Sequence, residues 1–324
     1  MVSSLKHRGP DGSGSCFYPN CALGHRRLDI IDLVTGDQPI FSADKQVALI
    51  FNGEIYGYKK IRERLTGYNF YTTSDTEVIS ALYDKYGRDF VPHLPGMFAL
   101  ALWDERKEEL ICARDRFGEK PFYYALGPGG ELVFASEIKA IIASGLIKPV
   151  LSLQSLRHYL QYLYVAPNKT IYKNIHCLSA AHVLFFRRGK LTLERYWTPI
   201  VPAVKISFGD AVSEFRRLFS TAVEDQLVAD VPVGAFLSGG LDSTSIVGLA
   251  TQFTPHIKTF SFGFEGSRNE LPYARQAAEA FRTDHHEFLE KDVNVAELMV
   301  TMADIYDEPF ADSSNIPQYL IAKL

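Results

Sequence analysis

The sequence of 324 residues predicts two successive folds, an α+β sandwich followed by an α/β doubly wound parallel sheet. Two observations predict this division. Residues up to about 190 hold short apolar runs separated by glycine and proline, whereas strands and helices alternate after about residue 205. The stretch 199–207 holds two prolines and little pattern, so we expect domains at residues 1–200 and 206–324.

The first domain is predicted to combine hairpin-connected strands with helices. Apolar runs predict strands at residues 47–51, 97–103, 110–113, 122–126 and 132–135. The second of these is apolar on both faces and should be buried between layers, and the Gly-Pro-Gly-Gly spacer at 127–130 predicts a hairpin. Apolar intervals of three and four residues predict helices at 58–65, 76–86 and 137–143, with Asp75 as N-cap of the second.

The second domain has the order expected of a parallel sheet. Helices are predicted at residues 207–227, 243–252 and 273–281. They alternate with apolar strands predicted at 231–237, 257–262 and 285–289. This strand–helix–strand order predicts parallel strands joined by crossover helices.

Composition narrows the classes of function and location. The net charge is −4, from 34 basic and 38 acidic residues, and no basic run occurs, so nucleic acid is not expected as a partner. No signal segment and no apolar run of about 18 residues occur, so we expect a cytoplasmic protein without a membrane partner. The four cysteines show no metal-ligand spacing and are expected to be free thiols.

The segment from Ser238 to Ser243, Ser-Gly-Gly-Leu-Asp-Ser, is suited to binding the pyrophosphate end of ATP. Gly239 and Gly240 allow the backbone to approach an anion, and the following helix presents unpaired N–H groups at its positive end. Bare phosphate would repel Asp242, so its presence predicts a bound Mg²⁺. The alternative is a glycine turn capped by Ser243 with no ligand.

Five residues in the first domain offer groups suited to an α-amino acid with an amide side chain, including its two charged ends. Asn52 and Gly53 could form an oxyanion hole. Glu54 and Asp75 could bind an ammonium group, and Arg27 could bind a carboxylate in bidentate fashion. The alternatives are a helix cap for Asp75, a surface charge for Arg27 and a simple turn at Asn52 and Gly53.

The order of short sequence motifs along the chain resembles that of a known family. The loop at 238–243, with Leu237 before it and Phe262 on the next strand, resembles the signature of the N-type ATP pyrophosphatases. The first domain resembles the class II glutamine amidotransferases, and the whole chain resembles the glutamine-hydrolysing asparagine synthetases. The strings that carry the second resemblance are His7-Arg8-Gly9-Pro10-Asp11-Gly12, His25-Arg26-Arg27-Leu28, Asn52-Gly53-Glu54-Ile55-Tyr56, Ser74-Asp75-Thr76-Glu77, Gly96-Met97-Phe98-Ala99, Arg114-Asp115-Arg116-Phe117-Gly118 and Ala135-Ser136-Glu137-Ile138-Lys139-Ala140. The stretch Tyr306-Asp307-Glu308-Pro309-Phe310-Ala311-Asp312-Ser313-Ser314 resembles bacterial members.

The resemblance implies folds, substrates and roles. It implies an N-terminal nucleophile hydrolase-like fold and then an incomplete adenine nucleotide alpha hydrolase-like fold. It implies that aspartate is activated by ATP as an acyl-adenylate and amidated by ammonia from glutamine, and it is compatible with a homodimer. The implied glutamine-binding residues are Arg27, Asn52, Gly53, Glu54 and Asp75, with Asn52 and Gly53 stabilising the oxyanion. The implied ATP-binding residues are Leu237, Ser238, Gly239, Gly240, Asp242, Ser243 and Phe262, with Asp242 on Mg²⁺ through the pyrophosphate.

The sequence departs from the family pattern at its ends. Family members carry the nucleophilic cysteine directly after the initiator methionine, whereas this chain has Val2 there. Cys16 and Cys21 lie beyond the His-Arg-Gly-Pro-Asp string and carry no free α-amine. We therefore expect a chain truncated at both ends that does not hydrolyse glutamine. The alternatives are a related amidotransferase with another acceptor, of the exopolysaccharide- or exosortase-linked or β-lactam synthetase type, and an inactive binding protein.

Overall fold

The computed structural model describes residues 1–201, 203–264, 269–290, 294–312 and 314–323, without the side chains of residues 264 and 295. These residues form two compact units. The first unit comprises Met1–Ile200 together with Asp307–Phe310, and the second comprises Val201–Tyr306 with Ala311–Leu324. Ser313, within one of the strings quoted above, lies outside the described residues.

The first unit is built on antiparallel strands. Its strands are β1 (Gly12–Tyr18), β2 (Cys21–Arg27), β3 (Ile40–Phe41), β4 (Val47–Glu54), β5 (Met97–Asp104), β6 (Glu109–Arg114), β7 (Tyr123–Leu126), β8 (Leu132–Ala135), β9 (His176–Cys177), β10 (His182–Arg187) and β11 (Lys190–Arg195). The main sheet has the order β11-β10-β6-β5-β4-β3. β1 pairs with β2, and β8-β7-β9 form a third sheet.

Helices and smaller sheets cover the two faces of the main sheet. The helices are α1 (Tyr58–Arg64), α2 (Thr76–Tyr86), α3 (Ile138–Ile142) and α4 (Leu153–Tyr162). One core joins Leu49 and Leu100 of the sheet to Val78 of α2, and a second joins Ala99 on the opposite face to Leu23 of β2. Alternating side chains of β5 therefore enter two cores, and the prediction of a strand buried on both faces is confirmed.

The second unit contains three parallel strands. β12 (Gly234–Phe236), β13 (Lys258–Phe264) and β14 (Asp284–Glu290) lie in that order. The helices are α5 (Phe208–Gln226), α6 (Leu241–Phe253), α7 (Leu271–Phe281), α8 (Val295–Ile305) and α9 (Asn315–Lys323). The predicted parallel pairing is confirmed, but β12 is shorter than predicted and α6 begins two residues before the predicted start at 243.

Two carboxylates of the segment Asp307–Phe310 bond to other residues of the first unit. Asp307 accepts a hydrogen bond from the backbone N–H of Lys139 (3.1 Å) and forms an ion pair with its Nζ (3.4 Å). The backbone N–H of Ile171 donates to Glu308. Among the described residues, no helix is both long and apolar enough to cross a membrane.

Candidate functional site

A cavity of about 700 Å³ in the first unit brings together Arg27, Asn52, Gly53 and Asp75. Arg27 ends β2, Asn52 and Gly53 lie near the end of β4, and Asp75 precedes α2. These residues are up to 48 positions apart in the sequence. They line the same cavity because they lie at the ends of neighbouring elements. Glu54 lies directly after Gly53, and the charge of Asp75 acts on its carboxyl.

Gly53 is the residue that the local geometry restricts most. It pairs with Phe98 of β5, and a Cβ atom built on it would lie 2.0 Å from the Met97 carbonyl oxygen. Phe98 directs its own carbonyl and N–H to Asp115, so the pair with Gly53 is a non-hydrogen-bonded one. The N–H of Gly53 therefore points away from β5. The alternative of a simple turn at Asn52 and Gly53 is wrong, since both residues lie within β4.

Asp75 is a nearly buried carboxylate, 4% exposed. It occupies the N-cap position of α2 but its side chain does not cap the helix, and the Thr76 N–H instead donates to Ser74 Oγ at 3.1 Å. Its Oδ2 accepts the N–H of Ile55 at 2.9 Å. Burial raises the pKa of Asp75, although the hydrogen bonds from the Ile55 N–H and from Ser74 act in the opposite direction.

Glu54 shares this electrostatic environment. Burial, and secondly the charge of Asp75, raise the pKa of Glu54. Glu54 itself is not among the residues that line the cavity. Two carboxyl groups that repel each other are stabilised by a nearby cation such as an α-ammonium group.

Arg27 is buried, so the alternative of a free surface charge is wrong. Its Nε lies 3.1 Å from Asp29 and its Nη1 lies 3.0 Å from Asp37, while Nη2 donates to the carbonyls of Ile31 and Asp32. A ligand carboxylate would have to replace one of these contacts to reach this guanidinium. The Asp37 side chain is 84% exposed and is the contact most easily replaced.

Two side chains to which the sequence analysis assigned no role contact the backbone of Phe51, the residue before Asn52. The N–H of Phe51 donates to Gln38 Oε1 (2.6 Å), and His25 Nε2 contacts the Phe51 carbonyl at 3.0 Å. Burial lowers the pKa of His25 to about 4, so the ring is neutral near pH 7 and carries its proton on Nε2. Neither contact has a signal in the sequence, because each joins β4 to a residue distant along the chain, His25 in β2 and Gln38 in the loop after β2.

In the second unit, the loop between β12 and α6 is a tight glycine turn that leads into a helix N-terminus. Gly239 has φ +77°, and a Cβ atom there would lie 2.5 Å from the Tyr273 backbone. Ser238 Oγ and Ser243 Oγ lie 3.0 Å apart. The N-cap of α6 is Gly240, without a side-chain cap. Ser243 closes the glycine turn, as in the alternative interpretation, because its Oγ accepts from the Ser238 N–H (3.3 Å) and donates to the Gly240 carbonyl (3.3 Å).

Leu237 and Phe262 border this loop. The Leu237 side chain is buried, its N–H donates to the Phe260 carbonyl at 2.9 Å, and its carbonyl accepts from Ser261 Oγ. Phe262 lies on β13, next to β12. Both residues therefore lie close to the exit of β12, where the resemblance placed the nucleotide.

Comparison with known proteins assigns the two parts of the chain to two family models. A family model described as a glutamine amidotransferase domain matches residues 1–197, and one described as asparagine synthase matches residues 214–324. The putative glutamine-hydrolysing asparagine synthetase 2 of Methanocaldococcus jannaschii is 37% identical over 100% of this chain and 67% of its own length. The chain belongs to the glutamine-hydrolysing asparagine synthetase family.

Two Bacillus subtilis relatives extend this result. Asparagine synthetase 1 is 36% identical, covering 100% of this chain and 51% of that protein. Asparagine synthetase 3 is also 36% identical, covering 97% of this chain and 55% of that protein. The chain thus spans between about half and two thirds of the length of these family members.

Proposed function

We propose that the chain carries the glutamine-binding site and part of the ATP-binding site of a ligase that makes asparagine from aspartate. The observation that carries the proposal is the cavity in which Arg27, Asn52, Gly53 and Asp75 meet. Its cation-seeking and anion-seeking groups match the two charged ends of glutamine. The names of the relatives favour aspartate over the other acceptors.

In the proposed glutamine site, each group has one task. Asp75 and Glu54 bind the α-ammonium group, and Arg27 binds the α-carboxylate. The N–H of Gly53, which points away from β5, and the Asn52 amide donate to the side-chain carbonyl oxygen of glutamine. These donors stabilise the negative charge that develops on this oxygen when the amide is attacked.

The loop at 238–243 fits the pyrophosphate end of ATP. The close approach of Gly239 to α7 and the uncapped N-terminus of α6 leave room for an anion beside backbone N–H groups. Ser238 and Ser243 would donate hydroxyl groups, and Asp242 would hold Mg²⁺, which neutralises phosphate charge when bound. ATP would activate the aspartate side chain as an acyl-adenylate, and ammonia would displace AMP.

Calorimetric titration of the 324-residue chain with L-glutamine tests the proposal. We expect saturable binding that Asn52→Ala weakens, because this variant removes a donor to the amide oxygen. Asn20→Ala, in the exposed turn between β1 and β2, is the matched control and should leave the affinity unchanged. A folded wild-type chain that binds no glutamine would contradict the proposal.

A further inference from the structure

Asp32 lies in the loop after β2 and holds it in a defined shape. The residue has φ +56°, in the left-handed region that aspartate tolerates better than most residues. Its buried carboxylate accepts from the N–H groups of Val34 (3.3 Å) and Thr35 (2.7 Å) and from Thr35 Oγ1. The loop therefore folds around this carboxylate. Although burial opposes the charge, hydrogen bonds from Thr35 and Thr73 hold the pKa of Asp32 below its usual range.

The same residue contacts both ends of the proposed glutamine site. Its backbone carbonyl accepts from Arg27 Nη2 at 2.5 Å. Its Oδ2 accepts from the N–H of Thr73 at 2.7 Å, two residues before Asp75. One residue thus connects the guanidinium proposed for the α-carboxylate with the segment that carries the carboxylate proposed for the α-ammonium group.

Asp32 itself does not line the cavity, whereas its neighbour Ile31 does. It contacts Arg27, which would bind the ligand, and Thr73, in the segment that leads to Asp75, so it acts through these two residues. Removing the negative charge would weaken either the Thr73 contact or the contacts with Val34 and Thr35, because an asparagine can offer an acceptor at only one of the two side-chain positions. The distance between Arg27 and Asp75 would then no longer be fixed.

We propose that Asp32 is a positioning residue that sets the separation of Arg27 and Asp75, and thereby makes the site selective for ligands with both an α-carboxylate and an α-ammonium group. This inference rests on the proposed function. A ligand with both groups needs both ends of the site at once, whereas a ligand with one group adjusts to whichever end it meets.

The experiment compares three ligands on the full chain by calorimetry. They are L-glutamine, 5-amino-5-oxopentanoate, which lacks the α-ammonium group, and 4-aminobutanamide, which lacks the α-carboxylate. In Asp32→Asn we expect the Kd of L-glutamine to rise roughly tenfold or more, as for the loss of a charge-assisted contact. The Kd values of the other two ligands should change less than about twofold, because each uses one end of the site.

Asp44→Asn is the matched control. Asp44 also accepts hydrogen bonds within a turn, from Ser42 Oγ (2.6 Å) and the Gln46 N–H (3.1 Å), but it is exposed and away from the cavity. It should leave all three Kd values unchanged. Equal weakening of all three ligands by Asp32→Asn, or no weakening of L-glutamine, would overturn the inference.

Two further outcomes are decided in the same experiment. If Asp32→Asn does not fold, Thr35→Val removes one donor to the Asp32 carboxylate at an exposed position, and it should show the same selective loss to a smaller degree. An unchanged L-glutamine Kd in Thr35→Val would then overturn the inference. A wild-type chain without glutamine affinity would instead overturn the proposed function, and the inference with it.

Discussion

Asp75 shows how one side chain can lower stability while serving a ligand. Its carboxylate is buried beside Glu54, and burial raises its pKa. As the pH rises from the ordinary aspartate pKa to the raised value, the folded state keeps a proton that the unfolded state has released. The free energy of unfolding therefore falls over this range and stays lower above it. An α-ammonium group in the cavity would offset this loss.

We expect Asp75→Asn to raise Tm at pH 7 and to weaken glutamine binding. The variant removes a buried charge but keeps an acceptor for the Ile55 N–H. Loss of a charge-assisted contact of about 1.5–3 kcal/mol raises the Kd of glutamine roughly 10- to 100-fold. Thermal unfolding and calorimetry between pH 4 and 8, a range of roughly four units around carboxylate pKa values, would measure both effects.

Asp84→Asn, on the exposed side of α2, is the control and should change neither quantity. In the wild type, glutamine affinity should fall as the pH drops through the raised pKa of Asp75, because the ammonium group needs an ionised partner. A pH-independent affinity over this range would contradict the assignment of the ammonium group to Asp75.

Gly53→Ala should destabilise the first unit. The added Cβ atom meets the Met97 carbonyl at 2.0 Å, so β4 and β5 must move apart. Overpacking of this kind costs roughly 1–3 kcal/mol, which chemical denaturation would measure. Gly67→Ala is the matched control, since no atom lies within 4 Å of a Cβ there. Equal stability of the two variants would show that the sheet absorbs the methyl group.

The sequence predicted the residues of the cavity better than it predicted their contacts. Asn52, Gly53 and Asp75 all line the cavity. The partners of Arg27 could not be predicted, because they depend on a loop without helical or strand periodicity. The same holds for Asp32 and Gln38, whose side chains bond backbone groups of segments distant in the sequence.

At the scale of structural elements, the conformation of the loop between β12 and α6 depends on Gly239. Gly239→Ala would place a Cβ atom on a residue with left-handed φ, 2.5 Å from the Tyr273 backbone. We expect a cost of roughly 2–4 kcal/mol in the second unit and a loss of Mg-ATP binding. Glutamine affinity should persist, because that site lies in the first unit. Calorimetry with each ligand separates the two effects.

Gly240→Ala is the control for folding in this loop. Gly240 has φ −70°, and the nearest atom to a Cβ there is Ser238 Oγ at 3.3 Å. This variant should keep the Tm of the wild type. A Gly239→Ala chain that is equally stable and binds Mg-ATP normally would contradict the assigned role of the loop.

Elements with strong periodicity were predicted well, and edge elements were not. α2 lies at the predicted residues 76–86, and β8 at 132–135. The hairpin β1–β2 and the edge strand β11 were not predicted, because glycine and charged residues interrupt their apolar alternation. β10 was also not predicted, although it is an interior strand with an apolar run at 183–186. α4 was also not predicted, since its buried face consists of Ser155 alone. Periodicity reports burial, and these elements are only partly buried.

At the scale of the whole molecule, the four cysteine thiols are poorly suited to act as nucleophiles. Burial raises the pKa of all four cysteines, to about 12 for Cys21. Ser15 and Phe17 of β1 line the cavity, and Cys16 belongs to the opposite face. No cysteine of the chain therefore combines a reactive thiolate with access to the glutamine site.

We expect this 324-residue polypeptide to bind glutamine without releasing glutamate. A coupled glutamate dehydrogenase assay over several hours measures the release. The Asp75→Asn variant provides the background, because it should bind glutamine poorly. Glutamate release above that background would show that a nucleophile other than a conventional thiolate acts in the cavity.

The return of Asp307–Phe310 to the first unit has a consequence for synthesis on the ribosome. Most of that unit has been made by Ile200, but the acceptors for Lys139 and for the Ile171 N–H follow roughly a hundred residues later. At about 5–20 residues per second, this is a wait of roughly 5–20 s. During translation the amidotransferase unit therefore folds first without these two carboxylates and gains them only after most of the second unit has emerged.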